Sequence, residues 1–394
     1  MKNNLDELSV GIVHDWLPVL GGAEKVVEQF STIFPNNEIY TLFNFLNEAD
    51  ESFLNSKKIN VSRLNKLPYV EKYYRNLLLM CTRHIEQFDV SKHEVVLSSS
   101  AALAKGVLTS VDQPHISYIH SPARYAWDLS HEYIENIQGN FSFLKREIAK
   151  ELIYRFRSWD VRSTNTVDAI LANSHFIQKR IFKIYRRKSK VIYPPVNIDK
   201  FSLYTGVRED YYVTASRLVP YKKIDLIVKA FSKTKERKLV VIGDGPELSN
   251  LKKIAGDNIE FVGYQEIDAM VSLIQRAKAF VFAAFEDFGI LPVEAQACGT
   301  PVICYGFGGT AETVKPLGQS DKPSGVWFLK QDEDHISKAV DEFEKNIDKF
   351  SESQCRDNAE FFGNNRFQAE ISEFVRYGLE NDFNIEKLDL LNTK

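Results

Sequence analysis

The sequence lacks the features that mark several classes of protein. Its four cysteines are too widely spaced for a CxxC metal motif or for the disulfide framework of a small secreted domain. Only 19 glycines and 13 prolines occur in 394 residues, which excludes collagen-like and low-complexity chains. No apolar stretch is long enough to cross a bilayer, and the N-terminus lacks the basic and apolar regions of a signal peptide. We therefore expect a globular protein in the reducing cytoplasm.

No charge of one sign dominates. The chain has 50 basic and 53 acidic side chains, for a formal net charge of −3. That balance creates no overall attraction to nucleic acid, so we expect no nucleic-acid partner, and any anion site has to be local. The length predicts two sizeable domains.

Short apolar runs alternate with amphipathic segments, a pattern typical of parallel sheets with helices on both faces. The predicted strands are Val10 to His14, Glu38 to Phe43, Val95 to Ser99, His115 to His120, Ala169 to Asn173, Tyr212 to Ser216, Leu239 to Ile242, Ile259 to Val262, Phe280 to Ala284 and Val302 to Cys304.

Two adjacent prolines, Pro194 and Pro195, separate the two series of strands and predict a hinge. From His335 onward the strand pattern stops and three helical patterns follow. We predict an α/β protein with doubly wound domains over residues 1–195 and 196–365. A C-terminal helix and tail over residues 366–394 is expected to return toward the first domain.

The segment ASRLVPYKKID places two cations near one strand end. Arg217 follows a predicted strand, and Lys222 comes five residues later, near the next helix start. Ligands of open parallel sheets bind beyond the carboxyl ends of the strands. A planar guanidinium and a compact ammonium suit a pyrophosphate that gains charge as its bond to a sugar breaks. A solvated basic turn is the alternative.

The segment AFVFAAFEDFGILPVEAQACGTPVI carries the strongest pattern. Glu286 follows an apolar strand, and Pro292 is predicted to begin a helix with Glu294 in its first turn. Carboxylates accept hydrogen bonds from paired sugar hydroxyls, while loop amides can hold phosphate oxygens. The loop amides are those of Phe288, Gly289, Ile290 and Leu291. The alternatives are a surface charge at Glu286 and complementation of the helix dipole by Glu294.

Glycine pairs follow three of the predicted strands. Gly21 and Gly22 precede the first helix and offer backbone amides to an anion or hydroxyl, or simply turn the chain. GDGPEL at residues 243–248 is read as a structural turn, because it lacks the third glycine of a dinucleotide site. Gly308 and Gly309 before Thr310 have the same phosphate-binding or tight-turn alternatives.

The segment SYIHSPARYAWD places His120 at another strand end, with Arg124 shortly after it. A histidine at that position can hydrogen-bond a substrate hydroxyl, although a lone histidine is more often structural.

Taken together, these motifs resemble the family 4 retaining glycosyltransferases of GT-B fold, in which two Rossmann-like domains face each other across a cleft. GIVHDWLPVLGGAEKV, HSPARYAWD and ACGTPVICYGFGG are similar to bacterial mannosyltransferases that build lipid-linked O-antigen or exopolysaccharide units from GDP-mannose. The resemblance implies a nucleotide-sugar donor, retention of anomeric configuration and a lipid-linked oligosaccharide acceptor.

The resemblance also implies roles for individual residues. Glu286 and the loop amides would hold the donor sugar, and Glu294 the ribose hydroxyls. Arg217 and Lys222 would bind the diphosphate, and His120 a sugar hydroxyl near the reacting carbon.

Other positions are implied with less detail. Gly22 would lie near the phosphates or the acceptor, and Gly21 and Arg124 on the acceptor side. The family often has glycine or another small residue after the diphosphate-binding lysine, where this chain has Lys223, which has no assigned role.

We expect no cofactor and no metal. The DxD at Asp332 and Asp334 is far from the donor motifs, and no His/Cys cluster has ligand spacing. The leaving phosphate is expected to take the acceptor proton, so Glu286 and Glu294 are not read as a hydrolase acid and base.

A basic segment, KRIFKIYRRKSK, has seven cationic residues in twelve. They are Lys179, Arg180, Lys183, Arg186, Arg187, Lys188 and Lys190. The segment is either a solvated helix end or a peripheral contact with the anionic inner face of the cytoplasmic membrane.

Other functions remain as alternatives. They are a UDP-sugar-dependent transferase, an epimerase or phosphorylase of the same fold, a catalytically silent glycan-binding subunit, and a dinucleotide oxidoreductase. The absent dinucleotide fingerprint disfavours the last.

Overall fold

The computed structural model describes residues 5–47, 51, 54, 58–135, 137, 139, 141–381 and 383. Of these residues, those up to Pro194 and those from Phe367 onward form one compact unit, and Pro195–Arg366 form the other. The predicted tail after residue 383 lies outside the described residues.

The first unit is built on a parallel sheet of seven strands in the order β3-β2-β1-β4-β5-β6-β7. The strands are β1 Val10–His14, β2 Asn37–Thr41, β3 Ile59–Val61, β4 Val95–Ser100, β5 His115–Ile119, β6 Ala169–Ala172 and β7 Lys190–Val191. Its helices are α1 Gly22–Ile33, α2 Leu78–Ile85, α3 Ser130–Glu135, α4 Ser142–Ser163 and α5 His175–Tyr185.

The second unit contains a parallel sheet of six strands in the order β10-β9-β8-β11-β12-β13. The strands are β8 Tyr211–Ala215, β9 Lys238–Ile242, β10 Ile259–Gly263, β11 Ala279–Phe282, β12 Val302–Tyr305 and β13 Gly325–Phe328. The helices from here to the end of the described chain are α6 Ile224–Ser232, α7 Leu248–Ile254, α8 Ile267–Arg276, α9 Ile290–Ala297, α10 Thr310–Thr313, α11 Glu333–Lys345, α12 Glu352–Glu360 and α13 Asn364–Glu380.

The α/β class and the two doubly wound parallel sheets are confirmed. All ten predicted strands exist within two residues of their predicted ends, because buried β-branched runs mark central strands. The strands β3, β7 and β13 were not predicted. Two of them have only two or three residues, too few to show a pattern. In β13, a Cβ on Gly325 would lie 2.0 Å from the carbonyl oxygen of Val302, so glycine permits this close pairing.

The last helix adds to the core of the first unit. Phe367 of α13 stacks on Phe30 of α1 at 6.0 Å between ring centroids, and both rings contact Tyr118 of β5. The three helical patterns predicted after His335 are α11, α12 and α13.

A buried carboxylate holds the turn after β4. Asp15, directly after β1, accepts hydrogen bonds from four consecutive backbone amides at 2.5–2.8 Å. The donors are Ala101, Ala102, Leu103 and Ala104. Because four donors satisfy the carboxylate, it can be buried with its charge at this edge of the sheet.

The next residue forms a buried ion pair. Lys105 is 2% exposed, and its Nζ lies 2.5 Å from Oδ1 of Asp160 on α4. The other carboxylate oxygen of Asp160 accepts from Trp127 Nε1 and Tyr185 Oη at 2.7 and 2.9 Å. This network ties the turn after β4 to α4, α5 and the segment after β5.

Replacing Lys105 with Met should destabilise the first unit, because it leaves a buried carboxylate without its cation. Asp160 keeps two donors, so we expect a loss of about 3 kcal/mol, the lower end for a broken buried pair. Urea unfolding followed by tryptophan fluorescence measures it. Lys150→Met, which breaks the exposed pair with Glu147 in the same helix, should cost less than about 1 kcal/mol. Equal losses for the two variants would contradict this account.

Candidate functional site

The end of β8 carries the two predicted cations. Arg217 lies two residues past the strand; its side chain is exposed and makes no hydrogen bond or ion pair within the described part of the chain. A 3-10 turn, Pro220–Lys222, then brings Lys222 back toward the sheet. The turn ends at Lys223, whose φ of 56° is left-handed. That conformation favours glycine, which gives a physical reason for a small residue at this position.

Lys222 and Glu286, 64 residues apart, form an ion pair with 2.5 Å between Nζ and Oε1. The two side chains are 18% and 24% exposed, so the pair lies partly shielded from water. Nζ also lies 6.0 Å from the ring centroid of Phe282, the last residue of β11. β8 and β11 are neighbours in the sheet, and this adjacency brings the cation to the carboxylate.

The segment after β12 supports the loop that carries Glu286. The amide of Gly309 donates to the carbonyl oxygen of Glu286 at 2.8 Å. A Cβ on Gly309 would lie 2.2 Å from Cα of Phe288, and one on Gly308 would lie 2.5 Å from the Glu286 carbonyl oxygen. The phosphate-binding interpretation of this glycine pair is therefore wrong for the Gly309 amide, because the loop already occupies it. Both glycines are needed for backbone packing.

The helix after Glu286 begins earlier than predicted. α9 starts at Ile290, with Gly289 at φ 89° before it, so Pro292 is its third residue. Glu294 therefore lies beyond the first turn, contrary to the prediction, and is 5% exposed. Complementation of the helix dipole weakens past the first turn, so that alternative loses its basis.

The start of α9 nevertheless offers three of the four predicted backbone amides as free donors. In the described structure, the backbone amides of Gly289, Ile290 and Leu291 have no hydrogen-bond acceptor. The first amides of a helix point out of its end, where they attract anions. Loop amides, Glu286 and Glu294 thus lie on one continuous stretch, with Lys222 in contact with it.

Two glycines of GDGPEL also serve packing. Gly243 and Gly245 have φ of 131° and 159°. A Cβ on either would lie within 2.3 Å of a carbonyl oxygen in the segment that follows β8. The interpretation of this motif as a structural turn is confirmed.

In the first unit, His120 follows β5 directly. Its Nε2 lies 2.8 Å from the hydroxyl of Ser99 on β4, and Ser99 in turn contacts Nδ1 of His14 on β1. Burial, together with the charge of His14, lowers the pKa of His120 to about 3. The imidazole is therefore neutral and only weakly basic at physiological pH. The sequence prediction did not include His14 or Ser99, although both lie at the carboxyl ends of strands close to β5: β4 pairs with β5, and β1 pairs with β4.

The diglycine turn before α1 is partly closed. Glu24, the third residue of α1, accepts the Gly21 amide at 3.0 Å and thereby caps the helix. The expectation of an unshielded amide is wrong for Gly21, because a carboxylate already occupies that end.

Two further predicted residues lie in the first unit. Gly22 is the first residue of α1, and Arg124 is half-buried in the segment after His120.

The fold leaves only some residues of the basic segment exposed. Arg180 is 8% exposed and donates to Ser121 and Asp128, so it holds the segment after β5. Arg187 donates to the backbone carbonyls of Thr164 and Val167, in the segment between α4 and β6. Neither arginine forms part of an exposed patch. The exposed basic residues are Lys179, Lys183, Arg186 and Lys188.

A cavity of about 530 Å³ lies at the opposite ends of the strands in the second unit. It is lined by residues that precede β8, β11 and β12, including Arg208, Lys278 and Pro301. None of the predicted site residues lines this cavity. Among the described helices, none combines the length and apolar character needed to cross a membrane.

Residues 197–360 match the family model described as Glycosyl transferases group 1. An uncharacterized glycosyltransferase of Methanocaldococcus jannaschii is 25% identical over 62% of this chain and 70% of its own length. An alpha-1,3/1,6-mannosyltransferase of Candida glabrata is 25% identical over 57% of this chain and 60% of its own length.

A GDP-mannose-dependent monoacylated alpha-(1-6)-phosphatidylinositol monomannoside mannosyltransferase of Corynebacterium glutamicum is 36% identical over 26% of this chain. The match spans 30% of that relative, so the chain covers from 30% to 70% of the length of these curated relatives.

Among solved structures, Anabaena HepE in complex with UDP is similar in fold, with a TM-score of 0.67 at 16% identity. The similarity covers 93% of this chain and 99% of that protein. Residues 197–360 of this chain thus match the group 1 glycosyltransferase model, the pair of Rossmann-like units shares the fold of HepE, and mannosyltransferases are among the relatives at low identity.

Proposed function

We propose that the protein is a retaining, metal-independent glycosyltransferase that moves mannose from GDP-mannose to a hydroxyl of a lipid-linked oligosaccharide. The process would be bacterial surface polysaccharide synthesis at the cytoplasmic face of the inner membrane. The contact between Lys222 and Glu286, beside the free amides of α9, carries the proposal. It places a cation, a carboxylate and anion-binding amides at one sheet edge.

The chemistry follows from which charges appear as the donor bond breaks. The departing diphosphate gains negative charge, and Arg217, Lys222 and the α9 amides would stabilise it. Charge-assisted hydrogen bonds contribute roughly 1.5–3 kcal/mol each, so two cations supply on the order of 10²–10⁴ in rate if the bonds form in the transition state. The leaving phosphate would then take the acceptor proton on the same face of the sugar.

The two carboxylates would accept hydrogen bonds from hydroxyl groups of the donor. Glu286 accepts from the donor sugar while Lys222 turns from it to the phosphate, and the buried Glu294 accepts from the ribose. His120 would hold a sugar hydroxyl, Gly22 would lie near the phosphates, and Gly21 and Arg124 would belong to the acceptor side. The diphosphate is thus bound by groups that are charged before it arrives.

Two comparisons bear on the donor. The C. glutamicum and C. glabrata relatives carry mannosyltransferase names, and the former is described as GDP-mannose-dependent. HepE was solved with UDP and with UDP-glucose, which makes a UDP-sugar donor the second candidate.

A nucleotide panel separates the two donors. Thermal unfolding measured with GDP, UDP, ADP and their sugars should show the largest rise with GDP compounds. A ligand at 100 times its dissociation constant stabilises the fold by about 2.7 kcal/mol. A rise with UDP compounds alone would replace GDP-mannose by a UDP-sugar in this proposal.

Arg217→Ala should lower turnover by roughly 10²-fold or more, because it removes an exposed cation from the leaving group. The assay follows nucleotide release that depends on a glycan acceptor, in buffer with EDTA, since the proposed mechanism uses no metal. Lys223→Ala is the matched control. It removes a neighbouring cation that has no role, and its rate should stay within about twofold.

An unaltered rate for Arg217→Ala would remove its assignment. Loss of activity in EDTA that magnesium restores would contradict metal independence. Absence of turnover with every donor in the unmodified protein would favour a silent glycan-binding subunit.

Membrane contact is proposed from two exposed surfaces of the first unit. On α5, Lys179 is followed by Phe182 and Lys183 at intervals of three and four residues, and all three are exposed; Arg186, directly after the helix, is also exposed and lies 5.7 Å from the ring centroid of Phe182. Side chains at this spacing share one helix face. Basic residues around an exposed aromatic ring suit an anionic lipid surface.

The start of α4 provides the second surface. Phe141, Phe143, Leu144 and Ile148 are each at least half exposed, and the two phenylalanines are 79% and 77% exposed. A group of large exposed apolar side chains is typical of a contact site and not of a helix that faces only solvent. Stable peripheral binding generally needs two signals, here one basic and one apolar.

The protein should therefore float with anionic liposomes at low salt and less so at high salt. Lys179→Glu with Lys183→Glu should reduce the bound fraction severalfold, since each basic residue contributes about 1 kcal/mol near such a surface. Lys252→Glu with Lys253→Glu, in α7 of the second unit, is the charge-matched control and should bind normally. Failure to bind at low salt would contradict membrane contact.

A further inference from the structure

A chain of polar side chains connects α1 to His120 in the first unit. Oε1 of Glu24 lies 3.7 Å from Nε2 of His14. Nδ1 of His14 lies 3.0 Å from the carbonyl oxygen of Ser99 and 3.2 Å from its hydroxyl. That hydroxyl lies 2.8 Å from Nε2 of His120. Glu24, His14 and Ser99 are 7%, 2% and 0% exposed, and none has a role in the function proposed above.

The position of each proton follows from whether each group can donate or only accept a hydrogen bond. A carbonyl oxygen only accepts, so Nδ1 of His14 carries a proton and donates to Ser99. The Ser99 hydroxyl has one proton, and within the described residues its remaining acceptor is Nε2 of His120. Nε2 of His120 is therefore an acceptor. A neutral imidazole that accepts at Nε2 carries its proton at Nδ1.

The charges around the chain agree with this arrangement. Burial alone lowers the pKa of His14, but the carboxylates of Glu24 and Asp15 and the Ser99 carbonyl raise it above its ordinary value. A cationic His14 in turn disfavours a proton on His120, whose pKa burial already lowers. Tyr118 also contacts the His120 ring, edge to face, at 5.2 Å. The carboxylate of Asp15 is itself held by the amides after β4.

We propose that Glu24, His14 and Ser99 are positioning residues that fix His120 as its Nδ1–H tautomer and so make it a hydrogen-bond donor. Nδ1 of His120 has no hydrogen-bond partner within the described structure, so the donor is available to a ligand. The role of His120 as a donor to a ligand rests on the proposed function. In that function, His120 donates a hydrogen bond to an oxygen of the donor sugar and accepts no proton from the acceptor hydroxyl.

The tautomer can be read without any substrate. Long-range proton–nitrogen correlation NMR on histidine-labelled full-length protein distinguishes the protonated ring nitrogen from the bare one. His120→Gln identifies the His120 signals among the eight histidines by their loss. We expect a protonated Nδ1 at His120, unchanged from pH 6 to pH 8. A protonated Nε2 in the unmodified protein would overturn the proposal.

Ser99→Ala removes the hydroxyl that fixes the tautomer, so the His120 signals should shift toward a mixture of the two forms. Ser98→Ala is the matched control on the same strand. Its hydroxyl contacts Nε2 of His115 at 2.8 Å, so this variant should move the His115 signals and leave those of His120 unchanged. Identical His120 spectra in the unmodified protein and Ser99→Ala would also overturn the proposal.

A rate measurement completes the test. Ser99→Ala should lower kcat/KM about tenfold, the effect of one misplaced hydrogen bond, while Ser98→Ala stays within twofold. A changed tautomer with an unchanged rate would overturn the positioning role. A chain inactive with every donor, but with the expected tautomer, would count against the proposed function alone.

Discussion

The parallel alignment of the strands is the constraint on which the candidate site depends. In a parallel sheet every strand ends at the same edge, so segments far apart in sequence emerge side by side. β8 and β11 are adjacent, and the residues that follow them supply Lys222 and Glu286. In the first unit, β1, β4 and β5 are adjacent and supply His14, Ser99 and His120. Both clusters arise from strand order.

Backbone packing gives the donor loop its shape. Gly308 and Gly309 bring the segment after β12 against the loop that carries Glu286, closer than any side chain permits. Gly243 and Gly245 do the same for the segment that follows β8. Loops held in this way lose little freedom when a ligand binds, which reduces the entropic cost of binding. Glycine at these positions thus acts on the site through backbone geometry.

The two units differ in how deeply their charged side chains are buried. In the first, Asp15 and the Lys105–Asp160 pair are fully buried and satisfied by several donors, which suits a structural role. In the second, the Lys222–Glu286 pair is only partly buried, and Arg217 is exposed. A partly exposed ion pair can open for a ligand at modest cost, whereas a fully buried pair cannot. The second arrangement is the one that a charged substrate can use.

Sequence alone determined the class of fold, ten of the thirteen described strands and the motifs of the candidate site, because buried runs and strand-end motifs are local signals. Three features depended on tertiary structure: the edge strands β3, β7 and β13, the early start of α9, and the inward turn of Arg180 and Arg187. The edge strands and the two arginines depend on partners distant in the chain. The His14–Ser99–His120 chain belongs with these, since its residues meet only through the pairing of β1, β4 and β5. Local sequence specifies which side chains are present, and the order of strands decides which of them touch.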